Sequence, residues 1–303
     1  MVYRFIPNPE LFMRTLLLAT LAALMMTGCN KTDSKKMANP TNTESAGHYA
    51  TVNGLKMYYE IHGKGYPLVL IHGGGSTIET TFGKVIGEFA KTHQVIAVEM
   101  QAHGRTSDRN SELTFEQDAD DVAALLKNLN IEKANFFGFS NGGTTALQVA
   151  IRHPEVVNKI IAGSALCKRD GVPVQFWDFM KQAHLDNMPP QLKEAYKKVA
   201  EDPDGLQVMH DKDAKRMLDF KDIPDAQIKG IKAPTLIMIG DKDVITTKHA
   251  TEVHTLIPNS QLAIIPGGHG EYIGEVTTPQ HDDLIAATIS VINKFLSESI
   301  TEK

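Results

Sequence analysis

The chain has 303 residues, 42% of them hydrophobic and 22% charged, the proportions of a folded globular protein rather than a low-complexity scaffold or a polytopic membrane protein. A balance of 31 basic against 36 acidic residues gives a net charge of −5, so no broad positive field awaits a polyanion and nucleic acid is not an expected partner. Cys29 and Cys167 are too few for a disulfide framework, and no Cys/His cluster has zinc spacing, so neither a metal nor another cofactor is expected.

Arg14 precedes an apolar run from Leu16 to Met26 that is too short to span a bilayer comfortably, and Thr27-Gly28 then lead into Cys29. A basic start, a short apolar run and small residues before a cut are the layout of a secretory signal. Met26-Thr27-Gly28-Cys29 resembles the lipobox of bacterial lipoproteins, although Met26 stands where Leu is more usual. That resemblance implies a signal peptide over residues 1–28, diacylation of the Cys29 thiol and a lipid anchor in the bacterial cell envelope. Asn30 in place of Asp directs the expected anchor to the outer membrane, facing the periplasm. Met13-Arg14 begins a compact signal, so Met13 is a second candidate start beside Met1. Residues 29–47 are polar and rich in Lys, Asn, Thr and Ser, a composition that cannot bury enough apolar surface to fold and reads as a flexible tether.

The folded part is expected over residues 48–298. Tyr49 to Ile61 alternates around Asn53-Gly54, which favours the positive φ angles of a tight hairpin and predicts an antiparallel edge. Short apolar runs follow at Leu68–Ile71, Val95–Val98, Ala134–Phe139, Ile160–Ala162, Thr235–Ile239 and Leu262–Ile265, each suited to a strand buried on both faces. Between them, Thr114 and Gln117 form a capping-box pattern ahead of Val122, Leu125, Leu126 and Leu129 on one helical face. A second helix follows Ser140 and must end near His153, because Pro154 disfavours helical geometry in the residue before it. Ile285, Ile289, Ile292 and Leu296 predict an amphipathic closing helix. Strands alternating with helices give the α/β class, a mostly parallel sheet covered on both faces. Residues 166–229 break this rhythm: they hold no strong strand but carry Phe176, Trp177, Phe179, Met180, Met188, Met209 and Met217 among charges, and predict an inserted helical cap.

Chemistry concentrates at strand ends. Phe136-Phe137-Gly138-Phe139-Ser140-Asn141-Gly142-Gly143 sets a serine between glycines, after an apolar strand and before a helix. A sharp turn there lifts the hydroxyl above the sheet and aims the Asn141 amide, at a helix N-terminus, toward negative charge. Gly240-Asp241-Lys242-Asp243 and Pro266-Gly267-Gly268-His269 follow two later strands, and groups at the C-terminal ends of parallel strands converge on one crevice. A serine hydroxyl is a weak nucleophile that needs a base such as His269, and that imidazole needs a carboxylate, Asp243 or Asp241, to fix its tautomer.

On these residues the chain resembles the α/β-hydrolase superfamily over about residues 48–298. The resemblance implies the α/β-hydrolase fold and a catalytic triad of Ser140, Asp243 and His269, with Asp243 preferred to Asp241 because the family's acid stands three residues beyond the glycine. Ile71-His72-Gly73-Gly74-Gly75-Ser76 resembles the family's oxyanion loop and implies a hole built from the Asn141 and Gly74 amides, with Gly75 as the alternative donor. His72 and the segment Glu99–Thr106, including His103, read as scaffold near the site; Glu99 and Ala102 depart from the family pattern there. Serine at the elbow argues against haloalkane dehalogenases and epoxide hydrolases, which carry Asp. Ser76 and Asn141 depart from proline iminopeptidase relatives, and Phe139 from lipases with a His-Gly-Gly-Gly loop. The expected activity is a serine hydrolase acting on a carboxylic ester, lactone or related acyl compound through an acyl-enzyme. The alternatives are a carbon–carbon bond hydrolase or peptidase using the same residues, or a catalytically silent binding lipoprotein. The expected partners are a small-molecule substrate and, through the lipid, a membrane.

Overall fold

A computed structural model describes residues 47–299. The expected signal peptide, Cys29 and the tether up to residue 46 lie outside the described residues.

The N-terminal hairpin consists of β1 (His48–Val52) and β2 (Leu55–His62), turned by Asn53 and Gly54 with φ of 47° and 78°. Two successive positive φ angles give the turn the twist that the flanking strands require. Six further strands follow: β3 (Tyr66–Ile71), β4 (His93–Val98), β5 (Ala134–Phe139), β6 (Val157–Gly163), β7 (Thr235–Gly240) and β8 (Ser260–Ile265). They form one sheet in the order β1-β2-β4-β3-β5-β6-β7-β8, antiparallel across β1-β2 and β2-β4 and parallel everywhere else.

The apolar runs are explained by what lies above and below. Val69, Ile71, Ile96, Val98 and Phe136 enter one buried cluster with α3 (Phe115–Asn128), α4 (Asn141–Arg152) and α9 (Thr247–Leu256). Their alternating neighbours Leu68, Leu70, Val95, Ala97 and Phe137 enter a second cluster with α1 (Ile78–Phe82), α2 (Ile86–Phe89) and α10 (Asp282–Ser297). A period of two serving two apolar layers reads in sequence as an unbroken apolar run.

Two local expectations are corrected. The run Leu262–Ile265 predicts cover on both faces, but β8 is the far edge of the sheet and Ile264 remains 47% exposed. At α3 the Thr114 hydroxyl accepts from the Gln117 amide at 3.1 Å, yet the Gln117 side chain turns to Asp121 instead of completing the capping box.

Between β6 and β7 the described residues contain no strand. They form α5 (Val174–Met180), α6 (Pro190–Val199), α7 (Gly205–Leu218) and α8 (Asp225–Gly230). Met188, Leu192, Tyr196, Leu206 and Met209 pack together there as a small separate core that includes Ala102. Trp177 is buried against Phe220, with the Arg169 guanidinium 3.7 Å from its ring centre.

Candidate active site

The serine sits where β5 gives way to α4. Its backbone has φ 55° and ψ −120°, a left-handed conformation disfavoured for any residue with a Cβ, and the Ser140 amide donates to Gly163 O at 2.8 Å. The flanking glycines make the turn sterically feasible. A Cβ on Gly138 would stand 1.9 Å from Gly142 O, and one on Gly142 2.1 Å from Ile71 O, so strand, turn and the end of β3 can approach only without side chains at these positions.

The loops after β7 and β8 bring a carboxylate and an imidazole to this turn. His269 Nε2 lies 3.0 Å from Ser140 Oγ, and His269 Nδ1 lies 2.7 Å from Asp243 Oδ1. Ser140 donates to Nε2, and the Nδ1–H donates to the acid. Asp243 Oδ1 also accepts from the Ile245 amide at 3.0 Å, while Oδ2 accepts from Ser164 Oγ at 2.6 Å. Ser164 in turn accepts from the Tyr272 hydroxyl at 2.8 Å. Burial pushes the Asp243 carboxyl up, but the hydrogen bond and charge of His269, with those from Ser164 and Ile245, hold it below its ordinary value. Asp241 is engaged elsewhere, where its Oδ1 accepts from the Gly267 amide at 2.8 Å and braces the loop that carries His269. Of the two acids left open by the sequence, only Asp243 meets the imidazole.

The two candidate oxyanion donors separate in the same way. The Gly75 amide donates to His103 Nε2 at 3.2 Å, whereas the Gly74 amide has no acceptor among the described residues. The Asn141 amide belongs to the first turn of α4 and has no intrahelical acceptor. Gly74, Asn141, Ser140 and His269 all line one pocket of about 290 Å³. His72 and His103 are scaffold. His72 Nδ1 donates to Gly73 O at 2.7 Å and Nε2 accepts from the Met100 amide at 3.1 Å, and burial, with His103 beside it, pushes its pKa down to about 3. His103 Nδ1 donates to Gln101 O at 2.8 Å. Glu99 is fully buried and anchors Arg105 at 2.8 Å, and Ala102 takes a φ of 64° in that turn.

The family model described as the alpha/beta hydrolase fold matches residues 66–220, about half of the chain. The chain belongs to the α/β-hydrolase family. The hydrolase is 28% identical over 236 residues to the human serine hydrolase BPHL, covering 72% of this chain and 77% of that protein. It is 34% identical over 121 residues to a 2-hydroxy-6-oxo-6-(2'-aminophenyl)hexa-2,4-dienoic acid hydrolase of Metapseudomonas resinovorans, 39% of this chain and 42% of that one. In fold it is similar to the enol-lactonase of Burkholderia xenovorans LB400, with a TM-score of 0.63 at 22% identity over 83% of this chain and all of that one.

Three residues of the hydrolase's site were not singled out from sequence. Ser164 is the first residue beyond β6, at the same sheet edge as Ser140, and that position was a usable signal. Tyr272 lies in the turn after His269 and gave none. Asp213 stands on α7, lines the pocket and accepts from Asn141 Nδ2 at 3.2 Å; on a charge-rich helix it reads as solvated.

Proposed function

We propose that this hydrolase cleaves a carboxylic ester, lactone or related acyl compound through an acyl-enzyme on Ser140. The observation that carries the reading is the continuous hydrogen-bonded series from Ser140 Oγ through His269 to Asp243, opening on an apolar pocket. His269 takes the Ser140 proton as Oγ bonds to the substrate carbonyl carbon. The Gly74 and Asn141 amides receive the developing oxyanion. Collapse expels the alkoxide leaving group, which takes the proton from His269 and departs as the alcohol. Water then enters; His269 removes its proton, the hydroxide attacks the acyl carbon, and Ser140 leaves with the proton restored. Asp243 holds the imidazole in the tautomer that can do this and offsets its transient charge.

A panel of esters, lactones, aminoacyl amides and vinylogous diketones tests the bond cleaved. Esters or lactones should turn over fastest, and a fluorophosphonate probe should label Ser140 and not the Ser140→Ala variant. Faster cleavage of a carbon–carbon bond in a dienoic acid of the kind named for the Metapseudomonas relative would replace the ester reading while keeping the same three side chains. No labelling and no turnover would support a silent binding lipoprotein.

The location is a proposal of the same standing. Met26-Thr27-Gly28-Cys29 supports a lipid anchor, with the catalytic domain tethered at the outer membrane and facing the periplasm. Mass spectrometry of the mature N-terminus should find acylated Cys29; an unmodified Cys29, or a chain beginning at Met1 or Met13, overturns the anchor and leaves the chemistry untouched.

A further inference from the structure

The pocket beside Ser140 is apolar along most of its wall, with Phe176, Met180, Met188, Met209 and Met217 among its lining. Among the described residues no lysine or arginine lines it. Its titratable groups are three histidines, at positions 184, 210 and 269, and a single carboxylate, Asp213.

Asp213 is placed by side chains on three elements. Its Oδ1 accepts from Asn141 Nδ2 at 3.2 Å and from Arg216 Nη2 one turn further along α7. The same guanidinium donates through Nη1 to Asp118 Oδ2 on α3 at 2.6 Å, so one cation is divided between two buried carboxylates. Despite burial, the Arg216 guanidinium holds the Asp213 carboxyl well below the usual range, which keeps it ionised. Asp213 Oδ2 is left over. His103 Nε2 lies 3.7 Å from it, beyond hydrogen-bond distance, and accepts from the Gly75 amide. Oδ2 also lies so near Gly74 that a Cβ there would stand 2.6 Å away. Among the described residues Oδ2 therefore has no hydrogen-bond donor, on a side chain that lines the pocket beside an amide assigned to the oxyanion.

We propose that Asp213 sets the substrate specificity of this site, selecting acyl groups that carry a hydrogen-bond donor, an ammonium or a hydroxyl, close to the carbonyl, and excluding acyl groups that carry a carboxylate there. The proposal rests on the ester-hydrolase reading above. An ammonium or hydroxyl gives Oδ2 the partner it lacks, whereas a carboxylate meets like charge in a confined apolar site with no lysine or arginine lining it. The methionine and aromatic wall takes the remaining alkyl part of the acyl chain.

The test uses three ethyl esters that differ only at C3: ethyl 3-aminobutanoate, ethyl 3-methylbutanoate and ethyl 3-carboxybutanoate, assayed at pH 8, where an ordinary imidazole is neutral. The intact protein should favour the ammonium ester over the carboxylate ester by about 100-fold or more in kcat/KM, with the neutral ester between them. Asp213→Asn should shrink that ratio by about tenfold or more; because the ratio is taken within one variant, any loss of folded protein or of general turnover cancels. Equal kcat/KM for the charged pair, or a ratio unchanged by Asp213→Asn, overturns the proposal while the ester reading stands. Failure of all three esters, in a protein that also ignores the wider ester and lactone panel, removes the ester reading and the proposal with it. If Asp213→Asn does not fold, inhibition of the unaltered protein by boronic acids bearing the same three side groups reads the same order, and equal inhibition constants overturn the proposal.

Discussion

Along the C-terminal edge of the sheet, each side chain of the proposed triad is held where its own backbone is constrained. Ser140 sits in a turn closed by glycines, Asp243 accepts from the Ile245 amide, and the His269 loop is braced by Asp241 on the Gly267 amide. Across the pocket, α7 presents Asp213 by side-chain contacts alone, through Asn141, Arg216 and, behind them, Asp118. One wall is fixed by local chain geometry and the other by a buried charge cluster spanning α3, α4 and α7. The first wall suits reaction steps shared by many substrates. The second suits choice among substrates, because it meets the Ser140 turn only through the Asn141 side chain.

The contrast breaks if the reactive wall proves dispensable. Replacing Ser140 or His269 with Ala should lower kcat by about 10⁴–10⁶-fold and leave the melting transition nearly in place, as burst-free kinetics and calorimetry would show. Asp243→Asn should cost about 10⁴-fold, because the imidazole then loses its tautomer, whereas Asp241→Asn, which only loosens a loop, should cost less than about tenfold. The reverse ranking would move the acid to Asp241.

The charge cluster should behave in the opposite sense, affecting stability first. Arg216→Met strands Asp213 and Asp118 in a buried setting and should reduce unfolding free energy by about 3–5 kcal/mol, measurable by urea denaturation. Adding Asp118→Asn to that variant should recover part of the loss. A smaller effect sharpens the picture by pH. Burial pushes the Asp118 carboxyl up from 3.8 to about 6, against the pull of Arg216. A carboxyl with a raised folded pKa stabilises most below its unfolded value and loses that contribution as pH rises through the folded one. The stability of the parent protein relative to Asp118→Asn should therefore fall between about pH 4 and pH 6, and a rising difference would contradict the burial of this charge.

What was legible in the sequence follows the same division. The strand, Ser140 and helix lie in one short stretch, and the demand for glycine at 138 and 142 is local, so residue order alone exposes the turn. Asp243 and His269 were legible because each follows an apolar strand by a few residues. The choice between Asp241 and Asp243 came from the resemblance, since two carboxylates two residues apart face different ways only once the loop is folded. Asp213 was illegible for a physical reason: it lies 72 residues after Asn141, and its i, i+3 neighbour Arg216 gives it the pattern of an exposed helical ion pair. The unbroken apolar run in β8 could not reveal an edge strand, because what covers a strand is a property of its neighbours.

The turn at Ser140 also bears on how this protein withstands heat. A residue with a Cβ held at φ 55° and ψ −120° carries a conformational cost of about 1–3 kcal/mol. Ser140→Gly removes the Cβ, and after the greater chain freedom of glycine in the unfolded state is deducted, the folded form should gain about 1 kcal/mol. For a domain of this size that raises the melting temperature by about 2–4 °C, readable by scanning calorimetry, in a protein that no longer turns over. With Ser140 as the proposed nucleophile, durability and turnover are opposed at this one position, so variants screened for thermal survival alone would drift toward losing it.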